Sequence, residues 1–345
     1  MKHVAIHTAP LLAALVLAGC GDGSTAPSPT DVKDAAAIDA SDASLDASGD
    51  PAEAASDSAE SSAPDALQDA AGDSPGSDAD ASDAPLQVQR VYGVTIDDVS
   101  GMADILDSLQ KLSHKPTARV VFDEFVPAAD YQDPVSQIHA VSFVMGEILD
   151  SEFVDQVTVA EYSARTAEYL SALGNDVDVW EVGNEINGEW LGATSDVAAK
   201  MTAAFDLVKQ QGKRAALTLY YNEDCWSQAD HEMFTWTEAN VPASMKQGLD
   251  QVLVSYYEDD CNGLQPDWAT VFQKLATMFP NSQLGMGECG TTDPAKKAEY
   301  VHRYYTMKVA QPRYIGGQFW WYFRQDMVPS TLPLWTTLEA AMSES

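Results

Sequence analysis

Two glutamates, Glu185 and Glu288, stand where this sequence could do chemistry. The first closes the stretch Trp180, Glu181, Val182, Gly183, Asn184, Glu185, which follows an alternating Asp176, Val177, Asp178, Val179. Such alternation marks a strand, and it breaks at Gly183 and Asn184 as strands do at their ends. The second closes Leu284, Gly285, Met286, Gly287, Glu288, 103 residues later, and is followed by Cys289 and Gly290. A carboxylate at a strand end is held on stiff backbone. Two of them suit cleavage of a glycosidic bond, which passes through an oxocarbenium-like state. One carboxylic acid protonates the leaving oxygen while a carboxylate on the other face attacks the sugar or activates water. Their environments must differ, so that one group keeps its proton and the other does not.

The elements that must position this pair occupy residues 88–345, a length that suits one barrel domain. Strands are expected over 91–96, 119–122, 143–149, 177–182, 216–220, 252–256, 284–287 and 318–322. Helical spacing appears between them. Met102, Ile105, Leu106, Leu109 and Leu112 share a face after Ser100 as N-cap, and a helix over 159–173 has Thr158 as N-cap and Gly174 as its stop. Ser195 opens a helix carrying Val197, Met201, Phe205 and Val208. Pro266 opens another that buries Trp268, Val271, Phe272, Leu275 and Phe279, and Asp293 with Pro294 opens the next. Eight strands alternating with helices predict the α/β class and a (β/α)8, or TIM, barrel. In that fold the C-terminal strand ends converge on one mouth, which brings Glu185 and Glu288 together.

Gly183-Asn184-Glu185 on the fourth strand, Gly287-Glu288 on the seventh and the aromatic eighth strand (Phe319, Trp320, Trp321, Tyr322) resemble the clan A glycoside hydrolases. These are (β/α)8 enzymes that include cellulases, mannanases and β-galactosidases. The resemblance implies that Glu185 is the general acid/base and Glu288 the nucleophile of a retaining β-glycosidase. It implies that Asn184 bonds the sugar 2-hydroxyl, that Tyr257 bonds the nucleophile, and that Arg119 keeps it ionised. It also implies that Trp320 stacks on the sugar at the cleavage point, with Trp321 on the other face of the strand. Where several clan families have a His on the fifth strand, this chain has Tyr220, Tyr221 and Asn222, which leaves its substrate family unassigned.

Other carboxylates and aromatics read differently. Glu181 and Glu189 are expected to be structural, while Trp190 and Trp226 fall in loops on the catalytic side. A family 18 chitinase is a rival reading because Asp176, Asp178 and Glu181 resemble that group's fourth-strand acidic motif. The spacing misses by one residue, and the rival has no use for Glu288. A second rival is a carbohydrate-binding surface lipoprotein on a degenerate barrel, and retention of both carboxylates argues against it.

Four cysteines are present, Cys20, Cys225, Cys261 and Cys289. Cys225 and Cys261 follow neighbouring strands, so both fall on mouth loops and are the expected disulfide; Cys289 is left as a free, buried thiol. The histidines (His3, His7, His114, His139, His231, His302) have no metal-ligand spacing, and no phosphate loop or Gly-x-Ser-x-Gly motif occurs. No metal and no cofactor is expected.

The N-terminus has a different composition. Residues 1–19 carry Lys2 and an apolar run too short to span a bilayer, so they read as an export signal. Leu17, Ala18, Gly19 and Cys20 resemble a bacterial lipobox, which implies cleavage before Cys20 and its acylation. With Gly21 next, the expected location is the cell envelope, at the outer membrane or cell surface. Residues 20–87 are rich in Asp, Ala, Ser and Pro and hold no Trp, Tyr or Phe. They cannot bury enough apolar surface to offset their ordering entropy and are expected to be a disordered tether. The whole chain carries a net charge of −34, and from Val88 onward 37 acidic and 17 basic residues leave −20. That excess excludes nucleic acid and anionic membrane surfaces as partners and suits a neutral polysaccharide bound by a monomer.

Overall fold

The computed structural model describes residues 89–345. The expected signal peptide, the acylated Cys20 and the 20–87 tether therefore lie outside the described residues. Eight parallel strands close into a barrel in chain order: β1 Val91–Ile96, β2 Thr117–Val121, β3 Phe143–Glu147, β4 Val179–Glu181, β5 Ala215–Tyr220, β6 Gln251–Tyr256, β7 Gln283–Cys289 and β8 Tyr314–Trp320. The helices between them are α1 Met102–Gln110, α2 Gln132–His139, α3 Val159–Leu173, α4 Thr194–Gln210, α5 Met233–Asn240, α6 Ala243–Gly248, α7 Trp268–Met278 and α8 Lys297–Tyr305. After β8, α9 Phe323–Met327 and α10 Pro333–Glu344 complete the chain. The fold is the expected (β/α)8 barrel.

Period-two side-chain alternation builds the barrel interior in layers. Met145, Val179, Ala216, Leu253, Ile315 and Phe319 form a separate apolar cluster inside it. Two residues further along β3, β4, β5 and β6 the inward positions are Glu147, Glu181, Thr218 and Ser255, all fully or almost fully buried. An apolar floor thus carries a polar layer directly above it, toward the mouth. The outward positions pack on the helices: Trp180, Val182, Leu217 and Val254 join the larger core with Val197, Met201 and Phe205 of α4.

Helix α3 starts and stops where the sequence indicates, with a reciprocal capping box between Thr158 and Glu161. Other boundaries moved. α1 begins after Gly101 in the left-handed conformation, and Ser100 bonds Asp98 instead of capping the helix. α4 starts at Thr194 with no side-chain cap. α7 is capped by Asp267, which accepts from the amides of Ala269 and Thr270, so Pro266 lies before the helix. α8 begins at Lys297, after Asp293 and Pro294. The largest shift is in β8, which begins at Tyr314 and ends at Trp320. Gly316, Gly317 and Gln318 all have positive φ. A Cβ on Gly317 would lie 2.0 Å from the carbonyl oxygen of Met286, so β7 and β8 approach this closely only because glycine is there.

Candidate active site

Glu185 follows β4 with φ of 48°, a left-handed conformation that costs a non-glycine residue about 1 kcal/mol or more and is found where a side chain must be aimed. Its two oxygens are held from opposite sides. Ser255 on β6 donates to Oε1 at 2.5 Å, and Ser151, in the short 3-10 turn Ser151–Gln156 after β3, donates to Oε2 at 3.1 Å. Ser151 in turn accepts from the Trp190 indole at 3.2 Å, and its amide donates to Asn184 Oδ1 at 3.2 Å. The Asn184 Nδ2 is buried and has no partner among the described residues. An amide donor therefore stands next to Glu185 with its hydrogens unused.

Glu288 lies in β7, where the register with β6 shifts by one residue between Val254 and Ser255, so that Ser255 pairs with Glu288. Without that bulge period two would point the glutamate out of the barrel. Arg119 on β2 donates through Nη1 to its Oε2, and Tyr257, just past β6, donates to its Oε1 at 2.5 Å. Because Ser255 pairs with Glu288 across the sheet and bonds the Glu185 carboxyl, both glutamates converge on one point at the mouth.

The electrostatics separate the two groups. Burial raises Glu185 well above the ordinary glutamic acid range, and the charge of Glu288 raises it further against the hydroxyls of Ser255 and Ser151. Arg119 faces three buried carboxylates. Its Nε donates to Glu181 at 2.7 Å, its Nη2 contacts Glu181 and Glu147 at 3.1 Å each, and its Nη1 holds Glu288. Burial works against its charge, but Glu147, Glu181 and Glu288 together hold it well above the usual arginine value. One cation cannot compensate three enclosed anions. Burial raises Glu147 well above the ordinary glutamic acid range, against the attraction of Arg119, and neither of its oxygens has a hydrogen-bond partner among the described residues. Burial also raises Asp150, at the rim above β3, to about 6. The Tyr257 phenol is raised well beyond its usual value by burial and by Glu288, so it acts as a donor throughout the physiological range.

Trp320 is a correction to the sequence reading. It is fully buried in the outer core with its indole donating to Asp326 at 3.1 Å, so it has no face to offer a sugar. Phe319 lies in the interior cluster, and alternation therefore gives Trp321 the inward side. Its ring stands 5.7 Å from the Arg119 guanidinium, beside the nucleophile position. The rival acidic motif does not reach the mouth. Asp176 and Asp178 lie 3.6 and 3.5 Å from His139 at the opposite end of the barrel, where Asp178 also accepts from the Val144 amide. Glu181 is enclosed by Arg119 and Thr218 with both oxygens bonded.

Cys225 and Cys261 form a disulfide between the loops after β5 and β6, with Cα atoms 5.1 Å apart. Cys289 is buried, donates to the Gln318 carbonyl at 2.8 Å, and is pushed up by burial, which leaves it an unreactive thiol. Glu189 caps the loop after β5 by accepting from the amides of Ser227 and Gln228 at 2.6 and 2.9 Å. Of the three fifth-strand residues, Tyr221 and Asn222 are structural: Tyr221 packs on Tyr256 and Trp268, and Asn222 bonds His231 and Met233. Tyr220 stands beside Glu185, whose charge adds to burial in raising its phenol. Ser151, Ser255, Asp150, Glu147 and the inward role of Trp321 were not anticipated; only β-alternation from the floor residues signals Glu147 and Ser255. Among the described residues no group of three or more His, Cys, Asp or Glu could hold a metal ion.

The class defined by this fold and site is a (β/α)8 barrel with two buried glutamates at its C-terminal mouth. No family model matches the chain, and no curated protein matches it in sequence. Among solved structures it is similar to Gas2p of Saccharomyces cerevisiae in complex with laminaritriose and laminaritetraose, with TM-score 0.51 and 13% identity over 74% of this chain and 64% of that one. A Gas2p variant without ligand gives TM-score 0.51 and 12% identity, over 74% of this chain and 61% of that chain. The chain thus spans less than two thirds of the Gas2p structures, and at this identity the likeness shows a shared barrel fold.

Proposed function

We propose that this protein is a retaining β-glycoside hydrolase that acts on poly- or oligosaccharide by double displacement. The observation that carries the reading is the split environment of the two glutamates. Glu185 is enclosed among hydroxyls where burial keeps its proton, while Glu288 receives donors from Arg119 and Tyr257 on both oxygens. In the first step Glu288 attacks the anomeric carbon as the Glu185 proton passes to the leaving oxygen, leaving a glycosyl ester on Glu288. In the second, Glu185 as carboxylate takes a proton from water, which displaces the sugar and restores both groups. Asn184, with its unused amide hydrogens, bonds the sugar 2-hydroxyl, and Trp321 supplies the aromatic wall that the sequence reading gave to Trp320. The enzyme works in the bacterial cell envelope, held through acylated Cys20 and the 20–87 tether.

The test is incubation with 2-deoxy-2-fluoro glycosides bearing good leaving groups, beginning with glucosides and laminari-oligosaccharides because Gas2p was crystallised with the latter. A mass increment mapped to Glu288 is the expected result. A folded protein that turns over substrate with inversion and gives no adduct would overturn the double-displacement mechanism.

A further inference from the structure

The barrel mouth carries two exposed aromatic rings for which neither packing nor the catalytic step accounts. Three large apolar side chains are exposed among the described residues: Phe125, Phe143 and Trp226. Phe143 begins β3, at the end of the barrel away from the mouth, and Lys115 Nζ covers its ring at 4.4 Å. The other two follow β2 and β5, so both lie on the catalytic end, on different sides of the glutamate pair.

Each is presented by a braced loop. Phe125 is 73% exposed and adopts φ of 59°. The loop around it is tied by Arg165, which donates to the carbonyls of Phe122, Asp123 and Ile148 at 2.8, 2.7 and 2.7 Å, and by Tyr169, which donates to the Val126 carbonyl at 2.8 Å. Trp226 is 42% exposed between two fastenings, the Cys225–Cys261 disulfide before it and the Glu189 carboxylate on Ser227 and Gln228 after it. Asp224, two residues earlier, is also left-handed, with φ of 64°. A loop that accepts left-handed strain and then leaves its aromatic ring in water gains nothing for the fold. Rigid presentation of a flat apolar face lowers the ordering cost of binding.

We propose that Phe125 and Trp226 are outlying sugar-binding platforms, so that a neutral polysaccharide chain runs across the mouth from the loop after β2 to the loop after β5. The proposal rests on the glycosidase reading and extends it from the cleavage point to the length of substrate held. Pyranose rings present a C–H face that an aromatic ring can cover, and the net charge of −20 from Val88 onward repels uronic acid polymers.

The test is retardation of the full chain, in a Glu288→Ala background that cannot consume the polymer, on native gels cast with laminarin, galactomannan, arabinoxylan or polygalacturonate. At least one neutral polymer should retard the protein, and polygalacturonate should not. Phe125→Ala and Trp226→Ala should each weaken the apparent affinity about tenfold, a loss of about 1.4 kcal/mol. Phe125→Tyr should retain it, which separates loss of the ring from disturbance of the loop. Unchanged affinity in both alanine variants overturns the proposal, as does absence of retardation by all three neutral polymers. Labelling of Glu288 by a fluoro-monosaccharide requires neither ring, so the proposed function can stand where this inference falls.

Discussion

Ser255 pairs across the sheet with Glu288 while its hydroxyl donates to the Oε1 of Glu185 at 2.5 Å. A small hydroxyl between two large carboxyls fixes the acid relative to the nucleophile and blocks neither. Ser255→Ala should lower kcat about 2- to 10-fold while leaving the melting temperature within a few degrees, because a hydrogen bond to an uncharged carboxyl group contributes about 0.5–1.5 kcal/mol. A rate equal to that of the unaltered protein would show that Ser151 alone positions Glu185.

Tyr257 is argued from the other carboxylate. Its phenol cannot ionise at working pH, so it gives Glu288 a hydrogen bond in the free enzyme and must keep or move it as the glycosyl ester forms. Tyr257→Phe removes one donor and leaves the Arg119 contact. Pre-steady-state kinetics on an activated glycoside should show about 10- to 100-fold slower formation of the covalent intermediate, in proportion to a charge-assisted bond.

Glu185→Ala tests acid catalysis by leaving group. An aryl glycoside with a good leaving group such as dinitrophenolate needs no proton, so its first step should survive the change, while a natural glycoside with an alkoxide leaving group should lose about 100-fold or more. Equal losses on both substrates would remove Glu185 from the acid role.

The fold was legible in the sequence because it depends on a repeated pattern. Eight apolar runs and their helices need only be counted, and boundary errors at Ser100, Pro266 or Ser195 do not change the count. The nearness of Glu185 and Glu288 to the mouth ends of their strands was legible from the same pattern, but the bulge that turns Glu288 inward was not, because alternation alone points it out of the barrel. Trp320 failed because Gly316 and Gly317 look like a strand break, whereas they form the close approach of β8 to β7 within the strand. Starting β8 too late left the inward choice between Trp320 and Trp321 without a reference residue. Ser151 was invisible because its role depends on a short turn after β3 folding over β4, a contact across 34 residues that no local period encodes.

Raised carboxyl groups give the barrel a pH dependence of known sign. Glu147, Glu185 and Asp150 all bind protons more tightly folded than unfolded, Asp150 at about 6 and the two glutamates well above their usual value. Where the folded state holds more protons, stability falls as pH rises. The loss should begin above the unfolded values near 4 and continue through the folded ones. Thermal melts should therefore show a higher melting temperature at pH 5 than at pH 9, and Glu147→Gln should flatten the alkaline side by removing one enforced proton. A melting temperature that climbs steadily from pH 5 to pH 9 would contradict the raised proton affinity of these buried carboxyls.

Trp320 and Trp321 are neighbours with opposite duties, and one pair of variants separates them. Trp320 fills the space between β8 and the outer helices, so Trp320→Ala should cost about 3–5 kcal/mol of stability, the range for removing a buried large aromatic. Where Trp320→Ala is too unstable to assay, Trp320→Phe keeps most of the volume, and its kcat/KM should stay within a few fold. Trp321 is partly exposed beside Arg119 and contributes less to the core. Trp321→Ala should leave the melting temperature nearly intact and lower kcat/KM about tenfold or more through the lost aromatic wall, with Trp321→Phe intermediate. If instead the catalytic loss fell on Trp320→Phe and the stability loss on Trp321→Ala, the inward and outward faces of β8 would be reversed. The register that places Glu288 would then need the same revision.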